Sequence, residues 1–281
     1  MNFAGGATSL DRQGEVPIGA SEMGSVVTVL SPTGGVGAST VATNLAVRLA
    51  SKLGALRPEV ALMDTDLAFG CATSMVGARP PRSLADLDSQ VTPELLLAAV
   101  QPLECGIEVL AAPADPIAAE SVVPATCARV IWLLAQRHAI TVIDAAPGLT
   151  EPALTAVDHA DVVLIPVPGT PSAVRATAIV VGTLRRIGVA DDRIRIVANR
   201  VGAAQMMPPG TIADAVSGRI SWSIPDSADV VLAARKGRLL AWDWPDHPVS
   251  VALDRIAADV IDTIGGGLTV GGSGHQLRRA A

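Results

Sequence analysis

Continuous runs of β-branched and aliphatic residues alternate along this chain with stretches in which apolar residues recur at helical spacing. Apolar runs of this short length are typical of parallel strands that are buried on both faces. The predicted strands lie at 26–30, 60–64, 107–113, 139–144, 161–166, 193–200 and 221–226. Because the strands alternate with helical segments, the pattern favours an α/β fold with a doubly wound, mostly parallel sheet and helices on both faces.

Residues that begin or end helices refine this pattern. The apolar repeat over 41–53 predicts the first helix, and Gly54 is suited to end it. Thr92 followed by Pro93 predicts the start of another helix, with the threonine as N-cap. A last helix is predicted over 249–264, and we expect its apolar stripe to pack on the sheet.

We expect one folded domain between two flexible terminal segments. Residues 1–24 are rich in Gly, Ser and acidic residues without periodicity, which predicts a mobile arm. Residues 265–281 are rich in glycine, a poor helix former, and are expected to form a flexible tail. The stretch between them, 25–264, is long enough to build a full core.

Composition narrows the class of protein. The chain is 49% hydrophobic but has no Tyr and two Phe, so Ala, Val, Leu and Ile must build its core. The net charge of −6 argues against broad nucleic-acid binding. Cys71, Cys105 and Cys127 form no Cys-x-x-Cys pair, so neither an Fe–S nor a zinc site is indicated. Isolated thiols are typical of a reducing compartment. The sequence shows neither a signal peptide nor an apolar run long enough to cross a bilayer. We therefore predict a cytoplasmic protein.

The first candidate binding site is the glycine-rich link between the first predicted strand and the first predicted helix. Residues 33–40 read Thr-Gly-Gly-Val-Gly-Ala-Ser-Thr, and strand, glycine loop and helix are the context of a phosphate-binding loop. The glycines allow positive φ and close approach, and the amides of 35–40 would converge on an anion at the positive helix end. Such a loop normally carries a lysine where Ala38 stands, while Ser39 remains placed to bind Mg²⁺. The alternative is a glycine-rich turn without a ligand.

Acidic residues follow two of the predicted strands. Asp64 and Asp66 end the strand at 60–64, and Asp144 ends the strand at 139–144. The carboxyl ends of strands are where doubly wound sheets bind ligands. The alternative is that these aspartates only form turns.

The loop resembles the deviant Walker A motif of the ParA/MinD superfamily of P-loop ATPases. That motif reads Lys-Gly-Gly-x-Gly-Lys-Thr/Ser-Thr, and Thr33 and Ala38 occupy the two lysine positions here. In the family the first lysine reaches across a nucleotide sandwich dimer to the phosphates of the partner. The resemblance, combined with the loss of both lysines, implies weak or absent ATP hydrolysis.

Other motifs extend the resemblance over nearly all of 26–264. Asp64-Thr-Asp66 is similar to switch I, and Asp144-Ala-Ala-Pro-Gly148 to the Walker B and switch II position. Asn199-Arg200 and the Ile-Pro pair that ends in Pro225 are similar to the late elements that surround adenine. The resemblance therefore implies ATP or ADP with Mg²⁺ as ligands.

The resemblance also implies a role for each matching position. Asp66 and Asp64 would be the catalytic residues, with Asp66 positioning the attacking water or the Mg²⁺ shell. Mg²⁺ would be held by Ser39 and, through water, by Asp144. The implied nucleotide-binding positions are Gly34, Gly35, Val36, Gly37, Ala38, Ser39, Thr40, Asn199, Arg200 and Pro225. Arg175 or Arg200 would be a substitute for the missing lysine, although an ion-pair or surface role is the alternative for each.

Within the superfamily, the segments Asp-x-Asp-Leu-x-Phe-Gly and Gly-Ile-Glu-Val-Leu-Ala-Ala-Pro resemble most the pilus-assembly branch called CpaE or TadZ. A related septum-site-determining branch is similar to it. The resemblance implies a nucleotide-dependent positioning or assembly factor that forms a homodimer and recruits a protein of a pilus, secretion or division machine. The alternatives are a non-hydrolysing pseudo-ATPase scaffold and, with less support because the lysine is absent, a small-molecule P-loop enzyme.

Two further surfaces are open to test. Trp242 and Trp244 lie in a Pro-rich segment, where they either form a partner interface or cover the edge of the core. The polar positions of the last helix include Asp254, Asp259 and Asp262, which do not suit an anionic lipid surface. We therefore expect no direct membrane binding, with any recruitment to the inner face of the membrane made by a partner.

Overall fold

The computed structural model describes residues 23–54 and 59–270, with the side chains of 266–270 excepted. The predicted arm, 1–24, lies outside this range except for its last two residues. Residues 271–281 of the predicted tail lie outside it as well. The flexibility expected of both segments therefore stays a prediction.

The described residues form one eight-stranded sheet in which the predicted strands are all present. In chain order the strands are β1 (Ser25–Leu30), β2 (Val60–Asp64), β3 (Gln101–Pro102), β4 (Ile107–Leu110), β5 (Ile140–Ala145), β6 (Val162–Pro168), β7 (Ile194–Val201) and β8 (Ile220–Pro225). Their order across the sheet is β3-β4-β2-β5-β1-β6-β7-β8. Every pairing is parallel except that of β3 with β4. The prediction missed β3 because two residues that include a proline give no apolar run.

Helices connect the strands. They are α1 (Ala38–Leu53), α2 (Ala72–Met75), α3 (Pro93–Leu97), α4 (Pro116–Ala119), α5 (Pro124–Arg137), α6 (Glu151–His159), α7 (Pro171–Arg186), α8 (Pro209–Val216), α9 (Ala228–Arg235), α10 (Leu240–Asp243) and α11 (Pro248–Val270). The predicted caps are confirmed: Gly54 has φ 59° and donates to the Ala50 carbonyl, and the Thr92 side chain accepts from the Leu95 amide.

Helices cover both faces of the sheet, which confirms the doubly wound architecture. Buried side chains of α1, α9, α10 and α11 pack on one face. Those of α3, α5, α6, α7 and α8 pack on the other. Since β1 lies between β5 and β6 in the middle of the sheet, the loop that follows it is supported from both sides.

The last helix packs on the fold as predicted but ends later than predicted. Leu253, Ile256 and Val260 are almost completely buried, and Arg48 and Lys52 of α1 both pair with Asp254. The helix continues to Val270, beyond its predicted end at residue 264. Adding residues to a helix that tertiary packing already holds avoids the cost of nucleation, which offsets the low propensity of the glycines.

A buried charge cluster lies at the amino ends of β4 and β5, away from the phosphate loop. The Glu108 carboxylate accepts from Arg137 and lies 2.9 Å from Nε2 of His138, whose Nδ1 faces the Leu134 carbonyl at 3.0 Å. Burial alone would raise the pKa of Glu108, but the hydrogen bonds and charges of His138 and Arg137 lower it to about 2.

This cluster predicts an acid-sensitive contribution to stability. A carboxyl with a lowered pKa stabilises the fold above its ordinary pKa of 4.5, and that contribution is lost as pH falls toward 2. We expect Glu108→Gln to lower the free energy of unfolding by about 2 kcal/mol near neutral pH, because it removes the buried carboxylate that accepts charged hydrogen bonds from Arg137. Urea denaturation near neutral pH and at about pH 3 measures this, and the difference from wild type should shrink at the lower pH.

The control is Asp191→Asn, which removes the exposed ion pair between Arg185 and Asp191. Exposed pairs contribute less than about 1 kcal/mol, so this variant should match wild type at both pH values. If Glu108→Gln lowered the free energy of unfolding equally at both pH values, the charge-pair explanation would be contradicted.

Candidate functional site

The link between β1 and α1 has the backbone shape of an anion-binding loop. Gly35 and Gly37 adopt left-handed conformations with φ of 80° and 90°, which glycine reaches without strain. Gly37 is the N-cap of α1, and no side chain caps the helix, so the first-turn amides stay open to an external acceptor. Gly34 and Gly35 are exposed, and α1 presents the positive end of its dipole at this point.

Hydrogen bonds hold this loop in place. The Ser31 hydroxyl donates to the Thr33 carbonyl at 2.7 Å, which closes the first part of the loop. The Gly148 amide donates to the Ser31 carbonyl at 2.8 Å and joins the loop to the segment that follows β5. The candidate Walker A and switch II segments are therefore in direct backbone contact.

Asn199 lies against the loop. Its Nδ2 donates to the Val36 carbonyl at 2.8 Å, and its Oδ1 accepts from the Arg200 amide at 3.0 Å. A Cβ at Gly37 would lie 2.5 Å from the same Nδ2, so the close approach requires glycine. The sequence predicted that Asn199 contacts adenine, which stays a prediction. The contact with the loop had no signal in the sequence, because it joins residues 163 positions apart.

Asp64 and Asp144 lie side by side, since β2 and β5 pair in a register that aligns them. Both oxygens of Asp64 accept backbone bonds, from the amides of Asp66 and Ala72, each at 3.0 Å. Burial raises the pKa of Asp64 to about 6, although those two hydrogen bonds lower it. The Asp64 side chain therefore holds the backbone of the segment after β2 in place. Its predicted catalytic role stays a prediction.

Asp144 has the features of a cation ligand. Its carboxyl is buried, and its Oδ1 accepts no hydrogen bond in the described part of the chain. Burial raises the pKa of Asp144 well above its ordinary value and the charge of Asp64 raises it further, while a hydrogen bond with the Ser39 side chain opposes both. A cation beside Ser39 would satisfy the unpaired oxygen and relieve this repulsion. The side chains present therefore fit the predicted Mg²⁺ position.

A cation at this position must take part of its coordination shell from a ligand or water. Within residues 23–54 and 59–270, no three His, Cys, Asp or Glu side chains are grouped as a metal cluster. Mg²⁺ commonly binds through few protein groups together with phosphates and water. The structure is consistent with that mode of binding.

The remaining acidic candidate, Asp66, is half-buried in a tight turn. Its Oδ1 accepts from the amides of Ala68 at 3.3 Å and Phe69 at 3.1 Å. The turn-forming role considered for this residue is therefore present in the structure. Phe69 in this turn is 83% exposed, so a large apolar ring faces solvent next to Asp66.

The candidates from the later strands lie at the same edge of the sheet. Arg200, with φ of 57°, pairs with Asp226 at 2.9 Å, so the ion-pair alternative considered for it is observed. Pro225 ends β8 and pairs with Val201 of β7. Arg175 is exposed near the start of α7.

One residue at the site was missed by sequence reasoning. Cys71 is exposed and lies between Gly70 and Ala72, whose amide donates to Asp64. Burial raises the pKa of the Cys71 thiol, and the charges of Asp144, Asp64 and Asp66 raise it further, whereas Ser39 lowers it. A single cysteine without a neighbouring ligand gave no signal in the sequence.

The chain is similar in sequence to known P-loop proteins. The ParA family model, described as a NUBPL iron-transfer P-loop NTPase, matches residues 22–185. The septum site-determining protein MinD of Thermotoga maritima is 28% identical over 224 residues, which cover 76% of this chain and 80% of that protein.

Solved structures share the fold. A ParA family ATPase from Chlorobium tepidum has a TM-score of 0.76 at 20% identity, covering 84% of this chain and 98% of its own. The septum site-determining protein MinD from Pyrococcus horikoshii, complexed with Mg-ADP, has a TM-score of 0.75 at 21% identity. That match covers 88% of this chain and all of the MinD chain.

Proposed function

Because the chain belongs to the ParA family of P-loop NTPases, we propose that it is a nucleotide-dependent positioning or assembly factor with weak or absent ATP hydrolysis. The observation that carries this proposal is a phosphate loop that keeps its backbone shape while Ala38 replaces the lysine. Gly35 and Gly37 keep their left-handed conformations, and Gly37 caps α1 without a side-chain bond. Phosphate oxygens would then be bound by backbone amides at the positive end of the helix.

ATP or ADP would bind together with a divalent cation. Ser39 would ligate the cation, and the unpaired oxygen of Asp144 would hold it directly or through water. The cation would neutralise phosphate charge, which matters more in this chain because the loop lysine is absent. The cofactor found with the MinD of Pyrococcus horikoshii, Mg-ADP, is of the same class.

Slow hydrolysis follows from the charges at the site. Phosphoryl transfer depends on positioning and on cations that stabilise the charge of the transition state. Thr33 and Ala38 occupy both lysine positions, and Arg200 is paired with Asp226. The site therefore keeps the groups that hold a nucleotide but has lost those that neutralise the transferring phosphate.

Equilibrium binding and turnover, measured on the same protein, test this proposal. We expect calorimetry to detect ATP and ADP binding with a divalent cation, while phosphate release stays near the rate without protein. Asp66→Ala should then change turnover little, and Asp88→Ala is the matched control, since Asp88 also caps a turn through its side chain. Turnover typical of a family ATPase that only Asp66→Ala abolishes would show that another cation replaces the lysine.

A pseudo-ATPase scaffold remains the second candidate, and one observation favours it. Hydrogen bonds within the chain, made by Ser31, Gly148 and Asn199, hold the loop in place. A protein that acts only by binding a partner would need the folded loop but no bound nucleotide. Absence of ATP and ADP binding under all conditions would favour the scaffold.

The remaining parts of the proposal concern assembly. We propose a homodimer that recruits a protein of a septum-determining, pilus or secretion machine, and the similarity to a septum site-determining protein supports the first of these. The mass of the protein in solution with and without ATP tests the homodimer. An unchanged monomer mass at saturating ATP would contradict nucleotide-linked dimerisation.

The tryptophans near α10 allow a test of one partner surface. Trp242 is 49% exposed and Trp244 is 44% exposed, with the Arg238 guanidinium 5.0 Å from the ring of Trp244. We expect Trp242→Ala to remain a folded protein with a melting temperature a few degrees below wild type, because half of the ring contacts only solvent. Thermal denaturation followed by circular dichroism measures this. Unfolding at room temperature would assign Trp242 to the core edge instead.

We expect the purified protein not to bind lipid directly. None of the helices in the described ranges is long and apolar enough to span a bilayer. Ile256, Ala257 and Val260 of α11 are buried against the fold, so they are not free to enter a membrane. The two arginines near the C-terminus add only about 2 kcal/mol of attraction to an anionic surface.

Co-sedimentation with anionic liposomes measures lipid binding, with zwitterionic liposomes as the control. The protein should stay in the supernatant with both. Sedimentation with anionic liposomes that disappears when residues 265–281 are deleted would overturn this prediction. If the protein does not bind lipid itself, its recruitment to a membrane would require the partner protein.

A further inference from the structure

An apolar groove of about 300 Å³ lies between α3 and α5. Two of its lining side chains, Leu96 and Leu133, are buried and form its floor. Leu97, which also lines the groove, is 51% exposed, and the ring of Trp132 on α5 is exposed as well. Large apolar side chains that face solvent around a recess are typical of a docking site.

The chain enters the described part of the structure at the end of α5, close to this groove. The Gly24 amide donates at 2.7 Å to the carbonyl of Ala135, and Met23 packs on the core cluster that α5 helps to form. Ala135 is buried, whereas the next two residues, Gln136 and Arg137, are exposed and line the groove. Only the width of one helix, about 10–12 Å, therefore separates Met23 from the groove.

The residues that precede Met23 include a short apolar segment, Val16-Pro17-Ile18. Val16 is seven positions before Met23, and seven extended residues span about 23–25 Å, so the segment can reach the groove. A residue before proline favours an extended backbone, in which Val16 and Ile18 would point to the same side. Two aliphatic side chains on one side of a strand suit a recess with an apolar floor.

The charges of the two surfaces are opposite in sign. Arg137 on the rim and Arg129, two turns earlier on the same side of α5, outnumber the one lining acid, Glu94. Although Arg137 also binds the buried charge cluster, 45% of its side chain is exposed. Residues 1–22 carry three acidic side chains against one basic side chain, and Glu15 directly precedes the apolar segment. Charge complementarity therefore favours this segment as the occupant of the groove.

We propose that residues 15–18 dock in the groove between α3 and α5 of the same chain, with Val16 and Ile18 as the buried side chains. The mobility predicted for residues 1–24 is then confined to those before Glu15. Docking within one chain benefits from an effective concentration of about millimolar, so a small contact is enough to populate it. The inference does not depend on nucleotide binding, because the groove lies beside the Glu108 cluster and away from the phosphate loop.

Proteolysis by a glutamate-specific endoprotease tests the inference, because the Glu15–Val16 bond is cut only while the segment is undocked. A synthetic peptide of residues 10–20 gives the rate for the free segment. We expect the bond to be cut about ten-fold or more slowly in the full chain than in the peptide, as followed by mass spectrometry. Ile18→Asn and, separately, Leu97→Asn should each raise the rate to that of the peptide of matching sequence, because each removes one apolar contact.

The control is Ile179→Asn, since Ile179 is an exposed isoleucine of α7, which does not line the groove. This variant should keep the slow rate of wild type. Ile18→Asn changes a residue that precedes the sheet, so it decides the question even if Leu97→Asn fails to fold. A wild-type rate equal to that of the peptide, or slow cutting that survives Ile18→Asn, would overturn the inference. Protection that disappears on dilution would overturn it too, because docking on a second copy depends on concentration.

Discussion

Gly37→Ala is expected to abolish most nucleotide binding and to destabilise the protein. At φ of 90° an alanine costs about 1–2 kcal/mol relative to glycine. Its Cβ would also lie 2.5 Å from Nδ2 of Asn199, which breaks the bond from Asn199 to the Val36 carbonyl or displaces the loop. Loss of that bond adds about 1 kcal/mol. Chemical denaturation and ATP titration of the same variant measure the two effects.

The chain offers two matched controls in the same loop. Gly35→Ala has the left-handed φ of 80° but open space around the new Cβ, so it isolates the backbone cost. Gly34→Ala has open space without a left-handed φ and should match wild type. The expected order of destabilisation is therefore Gly37, then Gly35, then Gly34. Equal effects of all three substitutions would contradict the role given to Asn199.

Ala38→Lys is expected to strengthen ATP binding by about ten-fold to one-hundred-fold, since hydrogen bonds to charged groups contribute about 1.5–3 kcal/mol. ADP should gain less than ATP, because a loop lysine acts mainly on the β- and γ-phosphates. Ala38 is itself buried, so the lysine stem must extend along the loop before its ammonium reaches the phosphates. Calorimetric titration with ATP and ADP measures the change.

Thr33→Lys is the matched control for added charge. Thr33 lies on the same loop at the position of the other family lysine, which acts across a dimer. At protein concentrations too low for a dimer to form, this variant should leave ATP affinity close to wild type. A gain from Thr33→Lys equal to that from Ala38→Lys would indicate general attraction, and no gain from Ala38→Lys would mean that the loop is not a phosphate cradle.

The sequence predicted the fold well because its strongest signals are local. The apolar run before Gly34, the cap at Thr92 and the end of α1 at Gly54 depend on neighbouring residues, and all are confirmed. The end of α11 was wrong because propensity was applied where packing decides. Short elements such as β3 and α2 gave too few residues for a periodic pattern.

The site was predictable only in part, because its geometry depends on contacts between distant segments. The sequence placed Asp64 and Asp144 at strand ends, and the adjacent positions of these strands then bring the two together. It gave no indication that Asn199 binds the loop or that the Gly148 amide donates to the Ser31 carbonyl. Both contacts follow from strand order and turn geometry, which no short stretch of sequence encodes.

We propose that this chain binds ATP through backbone amides and a cation and hydrolyses it slowly. A single-turnover experiment tests it most directly, with protein in excess over γ-labelled ATP and with Mg²⁺ and Mn²⁺ in separate samples. Bound label and released phosphate are followed in the same sample. We expect the label to be retained as intact ATP, with phosphate release close to the rate without protein. Rapid release of phosphate, or no retained label with either cation, would contradict it.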